Sequence, residues 1–141
     1  MRTPLGVGVD IVAIPQLEAM LTTGGAAFRQ LCWTADELAY CAGSTPRLAA
    51  RWAAKEATMK ALGRGIGAIA PTDIEVAGRE GQPPTLRLHG PALAAAQEQE
   101  VDLALSMSHE AHLAIAFVVA TPRRTGECGR CHLEGGSVGT E

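Results

Sequence analysis

The segment from Arg47 to Leu62 constrains this chain more than any other. It has no interior glycine or proline, carries Leu48, Trp52, Met59 and Leu62 as its large apolar residues, and places alanine at most positions between them. Alanine is the strongest helix former, and its small side chain lets a neighbouring backbone come close. A fold built on such a helix packs by close contact of small residues. The composition agrees, because 47% of the chain is apolar but only 4% is aromatic, so the core must be mostly Ala, Val, Leu and Ile. Gly63 ends the helix, and Arg64-Gly-Ile-Gly67 follows as a flexible loop. The same helix holds both lysines of the chain, Lys55 and Lys60, on either side of Glu56, while the other ten basic residues are arginine. Lysine supplies a compact charge for phosphate and a proton that can move, which arginine does not.

The elements around this helix follow from pattern. In Leu5-Gly-Val-Gly-Val-Asp-Ile-Val12 the residues Val7, Val9 and Ile11 alternate with Gly6, Gly8 and Asp10, which is a strand. Asp10 therefore shares a face with two glycines, and that face is open to a close approach. Pro15 suits the first turn of a helix carrying Leu17, Met20 and Leu21, which Thr22-Thr-Gly-Gly25 is expected to end. Thr34-Ala-Asp-Glu37 is a capping box opening a short helix through Tyr40. Strands are predicted at Asp73–Val76 and Thr85–His89, with the turn Gly81-Gln-Pro-Pro84 between them, and an alanine-rich helix at Pro91–Gln99. A hairpin is predicted from Asp102–Ser108 and His112–Ala120, with His109-Glu-Ala111 at its tip. Helices come early and strands late behind one leading strand, which favours an α+β fold with early helices on a largely antiparallel sheet. Residues 1–121 form one expected domain, and the Gly-, Arg- and Glu-rich residues 122–141 an expected mobile tail.

Several classes are disfavoured. A formal net charge of −3 gives no global attraction to nucleic acid. No apolar run reaches membrane-spanning length, and Gly8 and Asp10 interrupt the first apolar run too early for a signal peptide, so a cytoplasmic protein is expected. Cys32 and Cys41 are then expected as free buried thiols.

Asp10 on a strand and Glu56 on the long helix are two carboxylates from separate elements. With a lysine nearby they suit Mg²⁺, which is bound by one or two carboxylates plus substrate phosphates. Lys60 lies four residues beyond Glu56 on the same helix face. Arg51 and Lys55, also four apart, form a neighbouring cationic pair suited to an anion.

These residues resemble those of the holo-acyl-carrier-protein synthase type of 4′-phosphopantetheinyl transferase. Gly6-Val-Gly-Val-Asp-Ile11 is similar to that family's opening motif, and Phe28-Arg-Gln-Leu with Thr34-Ala-Asp-Glu37 to its next segment. Arg51-Trp-Ala-Ala-Lys-Glu-Ala-Thr-Met-Lys60-Ala-Leu-Gly63 resembles its central signature, Gly81-Gln-Pro83 its turn, and Leu105-Ser-Met-Ser-His109 its strand end. The resemblance implies transfer of 4′-phosphopantetheine from coenzyme A to a serine of an acyl, polyketide or peptidyl carrier protein. It implies Mg²⁺ on Asp10 and Glu56, and a serine deprotonated by Glu56 or by a metal-bound water. Lys60 would stabilise the leaving phosphate. Arg51, Lys55, Gly63, Gly65, Ser108 and His109 would surround the coenzyme A phosphates, with Pro83 near adenine. It further implies a homotrimer with sites between subunits.

One position departs from the family pattern. The helix after the aspartate is usually basic there, with an arginine where this chain has Gln16. No basic residue occurs between Asp10 and Arg29, while Glu18 is acidic. Steering of an acidic carrier is expected to be weak. Two other readings stand beside the transferase: a non-catalytic homologue that binds coenzyme A or carrier, which the intact Asp10, Glu56 and Lys60 oppose, and a haem- or metal-binding module built on Cys128-Gly-Arg-Cys131-His132, which the absence of an export signal opposes.

Overall fold

The computed structural model describes residues 5–123 and the pair Gly139–Thr140. Strand β1 (Gly6–Ala13) leads into helix α1 (Ile14–Cys32), followed by α2 (Ala35–Cys41) and the long α3 (Thr45–Leu62). A 3-10 turn at Pro71–Asp73 precedes the two-stranded hairpin of β2 (Ile74–Ala77) and β3 (Thr85–Leu88). Helix α4 (Gly90–Gln99) then leads to the antiparallel pair β4 (Val101–Glu110) and β5 (Leu113–Pro122). The main sheet has the order β1-β5-β4, with the short β6 (Gly139–Thr140) parallel to β4 at Leu105 and Ser106. The α+β expectation describes this arrangement.

Helix α3 is the centre of the molecule. Leu48, Ala49, Ala53, Ala54, Ala57, Met59 and Leu62 are all buried, so it is covered on several sides at once. Its alanine face meets β1 at the two glycines. A Cβ on Gly8 would lie 1.8 Å from the carbonyl oxygen of Ala57, and one on Gly6 would lie 2.4 Å from that of Ala61. The space the glycines leave beside Asp10 is thus filled by a helix backbone. The other side of the sheet is reversed from a soluble core: Val7, Val9, Ile11, Leu113, Ile115 and Phe117 are all exposed. Strand register sets these residues side by side, with Val9 opposite Phe117 and Ile11 opposite Ile115.

Local signals explain the remaining elements and two corrections. Thr34 accepts from the Glu37 backbone N–H and Glu37 accepts from the Thr34 N–H, which is the predicted capping box. Gly63 adopts φ +67° and closes α3, donating to the carbonyls of Lys60 and Met59. The first helix breaks at Gly25 as expected, with φ 58° and ψ −149°, but the chain re-enters helix as far as Cys32, and Phe28 and Trp33 pack edge to face at 5.9 Å. The hairpin tip is also displaced: β4 continues through Glu110, and Ala111, at φ +48°, turns the chain with His112. Ser108 and His109 are therefore paired strand residues opposite Ile115 and Ala114. Cys32 and Cys41 are buried thiols that form no disulfide. Residues 128, 131 and 132 of the CxxCH sequence lie outside the described residues, as does most of the expected tail. Among the described residues no helix is long and apolar enough to cross a membrane.

Candidate active site

Strand β1 and helix α3 bring Asp10, Glu56 and Lys60 together. The Lys60 ammonium donates to the Val9 carbonyl at 2.9 Å and to Asp10 Oδ1 at 3.3 Å. About half of the Lys60 side chain remains exposed, so it can also face a ligand. Burial raises the Glu56 carboxyl above the usual carboxylate range; the nearby charge of Asp10 raises it further, and Lys60 partly offsets both. Two partly exposed carboxylates from different elements, each adding to the other's electrostatic cost, are an oxygen donor pair that a hard cation relieves. The residues present therefore fit Mg²⁺. No group of three or more His, Cys, Asp or Glu side chains suited to a metal occurs among the described residues. The ion's other ligands would be water and substrate phosphate.

A second group lies further back along α3. A cavity of about 240 Å³ is lined by Arg47, Ala50, Arg51, Met107, Ser108 and His109. Arg51 is buried, donates to the Arg47 carbonyl at 3.3 Å and lies over the Tyr40 ring at 4.5 Å. Arg47 faces the same ring at 5.5 Å. Cations over an aromatic face are attracted by its quadrupole, so one tyrosine gathers two guanidinium groups beside His109. Among the described residues no carboxylate lines the cavity. Arg51, Ser108 and His109 thus share one anion-suited cavity. Arg47 and Tyr40 were not singled out from the sequence. Their signal, an arginine one helical turn before Arg51 and the chain's single tyrosine, becomes informative only once α2 is packed on α3.

Lys55 requires a correction. Its ammonium is fully buried and points away from Glu56, where it donates to Glu37 Oε1 at 2.6 Å and to the carbonyls of Pro71 and Ile74. All three of its protons are used, so no donor remains for a coenzyme A phosphate. Burial pulls this lysine below its ordinary range, while the charge and hydrogen bond of Glu37 oppose the shift. Adjacent positions on a helix point about 100° apart, which is why Lys55 and Glu56 face different surroundings. Gly63 and Gly65 lie on the exposed loop after α3, with nothing within 4 Å of a Cβ built on either. Pro83 is exposed on the β2–β3 connection and lines neither group.

The fold and this cluster define a small α+β transferase domain. The model of the 4′-phosphopantetheinyl transferase superfamily matches residues 6–118, and the chain belongs to that superfamily. Within it, the chain is similar to holo-[acyl-carrier-protein] synthases. That of Herpetosiphon aurantiacus is 43% identical over 82% of this chain and 97% of its own length. The synthase structure from Neisseria meningitidis is 36% identical with a TM-score of 0.72, covering 82% of this chain and 97% of that one. A coenzyme A complex of the Chronobacterium ammoniagenes synthase is 31% identical with a TM-score of 0.76, covering 86% and 100%.

Proposed function

We propose that this chain is a holo-[acyl-carrier-protein] synthase, transferring 4′-phosphopantetheine from coenzyme A to a serine of an apo carrier protein in the cytoplasm. The observation that carries the reading is the Asp10–Lys60–Glu56 cluster, set on a transferase fold that also carries a separate cationic cavity. The serine oxygen bonds to the β-phosphorus of coenzyme A, the bond from that phosphorus to the bridging oxygen breaks, and adenosine 3′,5′-bisphosphate leaves. Asp10 and Glu56 would hold Mg²⁺, which when bound neutralises charge on the pyrophosphate. Glu56 would accept the serine proton. Lys60, anchored by the Val9 carbonyl, directs its ammonium to the leaving phosphate and supplies a proton there. Arg51, Ser108 and His109 bind the further phosphate of coenzyme A, the Gly63–Gly65 loop offers backbone N–H groups, and Pro83 lies toward adenine.

The active form is a homotrimer. The exposed apolar face of β1 and β5 is larger than isolated surface residues account for. Asp10 sits on edge strand β1 and His109 on β4, with β5 between them, so the two groups are separated by on the order of 10 Å across the sheet. A neighbouring subunit that supplies the opposite group completes each site. Residues 1–121 form the transferase domain. The near-absence of positive charge on the outward face of α1 supports a carrier less acidic than a fatty-acid carrier, of the polyketide or peptidyl type.

The test is intact mass spectrometry of apo carriers of the three types after incubation with the protein, coenzyme A and Mg²⁺. A gain of about one phosphopantetheine mass that disappears with chelator supports the reading. Folded, assembled protein that modifies none of them, while still binding coenzyme A, favours the non-catalytic alternative.

A further inference from the structure

Three features outside the described chemistry invite a role: the open apolar sheet face, which belongs to the assembly above; the β6 contact on β4, which spans two residues; and the buried Glu37–Lys55 pair. The last carries furthest. Both side chains are fully buried, a costly arrangement that a hydrophobic pair of similar volume commonly replaces without loss of stability. The geometry ties together more elements than a simple ion pair needs. Glu37 Oε1 accepts from the Thr34 backbone and from Lys55, and Oε2 accepts from the Val76 backbone at 3.1 Å. Lys55 also holds the carbonyls of Pro71 and Ile74. One pair thus joins the start of α2, the middle of α3, the 3-10 turn and β2.

Two of those joints bear on the site. Lys55 immediately precedes Glu56 and lies five residues before Lys60. Against the glycines of β1, α3 is held on one side by the Ala57 and Ala61 carbonyls. On another side it is held by Lys55. A rotation of about 20° would sweep a side-chain end some 6 Å from the helix axis through about 2 Å. Displacements of about 1 Å from productive geometry cost on the order of 100-fold in rate. The second joint is the glycine loop. It leaves α3 at Gly63 and is caught at its far end, where Pro71 and Ile74 are bonded back to the same lysine.

We propose that Glu37 and Lys55 are positioning residues of the transferase site, fixing the rotation of α3 that sets Glu56 and Lys60 against Asp10 and, with the same ammonium, the span of the Gly63–Ala70 loop. The inference rests on the function proposed above. It predicts that the pair serves geometry, so that replacing the charges with neutral groups of similar size separates folding from activity.

The experiment compares wild-type protein with Glu37→Gln/Lys55→Met and with Glu37→Gln alone. Melting temperature, kcat, KM for coenzyme A, and amide hydrogen exchange of residues 63–74 are measured. The expected result for the folded double variant is a kcat about 10- to 100-fold lower, from displaced Glu56 and Lys60, with a raised KM for coenzyme A and faster exchange in the loop. A purely structural pair would shift the melting temperature while leaving kcat and KM, measured well below the transition, within about two-fold of wild type; that outcome overturns the proposal. Where the double variant does not fold, Glu37→Gln, which keeps shape and one acceptor oxygen, is read by the same criteria. Should wild-type protein transfer nothing, the function falls on its own evidence, and unchanged loop exchange in the variant separately overturns the positioning role.

Discussion

Gly8→Ala tests the link between packing and chemistry most directly. The added Cβ would sit 1.8 Å from the Ala57 carbonyl oxygen, 2.8 Å from its carbonyl carbon and 2.9 Å from the Ala61 nitrogen. All three atoms are helix backbone, so no side chain can rotate away. Opening the closest contact to the 3.0 Å that real Cβ atoms keep requires β1 and α3 to part by at least about 1.2 Å. Overpacking of this kind costs about 1–3 kcal/mol, and the rigid backbone on both sides places this case near 3. For a chain of this size that lowers the melting temperature by roughly 10 °C. Asp10 lies two residues on, on the same face of the strand, and moves with it away from Glu56. A shift beyond 1 Å then lowers kcat/KM about 100-fold. Calorimetry gives the first quantity, and carrier modification followed by mass spectrometry, at a temperature where the variant is fully folded, gives the second. A Gly8→Ala protein that melts within about 2 °C of wild type and modifies carrier at the wild-type rate would refute the requirement for close strand–helix approach.

Other consequences are measurable in the same assays. Lys60→Ala should lower kcat about 100- to 1000-fold in steady-state assays with nearly unchanged melting, because its half-exposed pair with Asp10 contributes little stability. Glu75 is desolvated, which raises its carboxyl, but the Thr34 hydroxyl, His89 and Arg87 outweigh burial and hold it below the ordinary 4.5. Such a carboxyl stabilises the fold above its unfolded value and loses that contribution as pH falls through the folded value. Thr34→Val should therefore cost about 1–2 kcal/mol at pH 7, and urea unfolding across pH should show the gap narrowing below 4.5. Phe117→Asp, on the open sheet face, should yield monomers in sedimentation with transfer lost. With no basic residue between Asp10 and Arg29, KM for carrier should change less than about threefold from 50 to 300 mM salt; a steep rise would contradict weak steering.

Much was legible because it obeys local rules. The capping box at Thr34 and Glu37 and the left-handed stop at Gly63 depend on residues a few positions apart. The alternation of Gly6, Gly8 and Asp10 against Val7, Val9 and Ile11 likewise needs only the period of a strand. Pairing across distance was not legible. Glu37 is 18 residues from Lys55 and Asp10 is 50 from Lys60, and a helical wheel shows that the two lysines diverge without showing what each one meets.

The sequence by itself determined which segments become helix and strand, where an alanine helix permits close approach, and which ionisable residues are candidates for the chemistry, because periodicity and capping act within a turn or two of chain. Only the tertiary structure decided that the glycine face of β1 is the packed one and its valine face the open one. It also decided that Lys60 reaches Asp10 while Lys55 is spent on Glu37. Those outcomes depend on which surfaces meet, and two lysines five residues apart on one helix point about 140° away from each other.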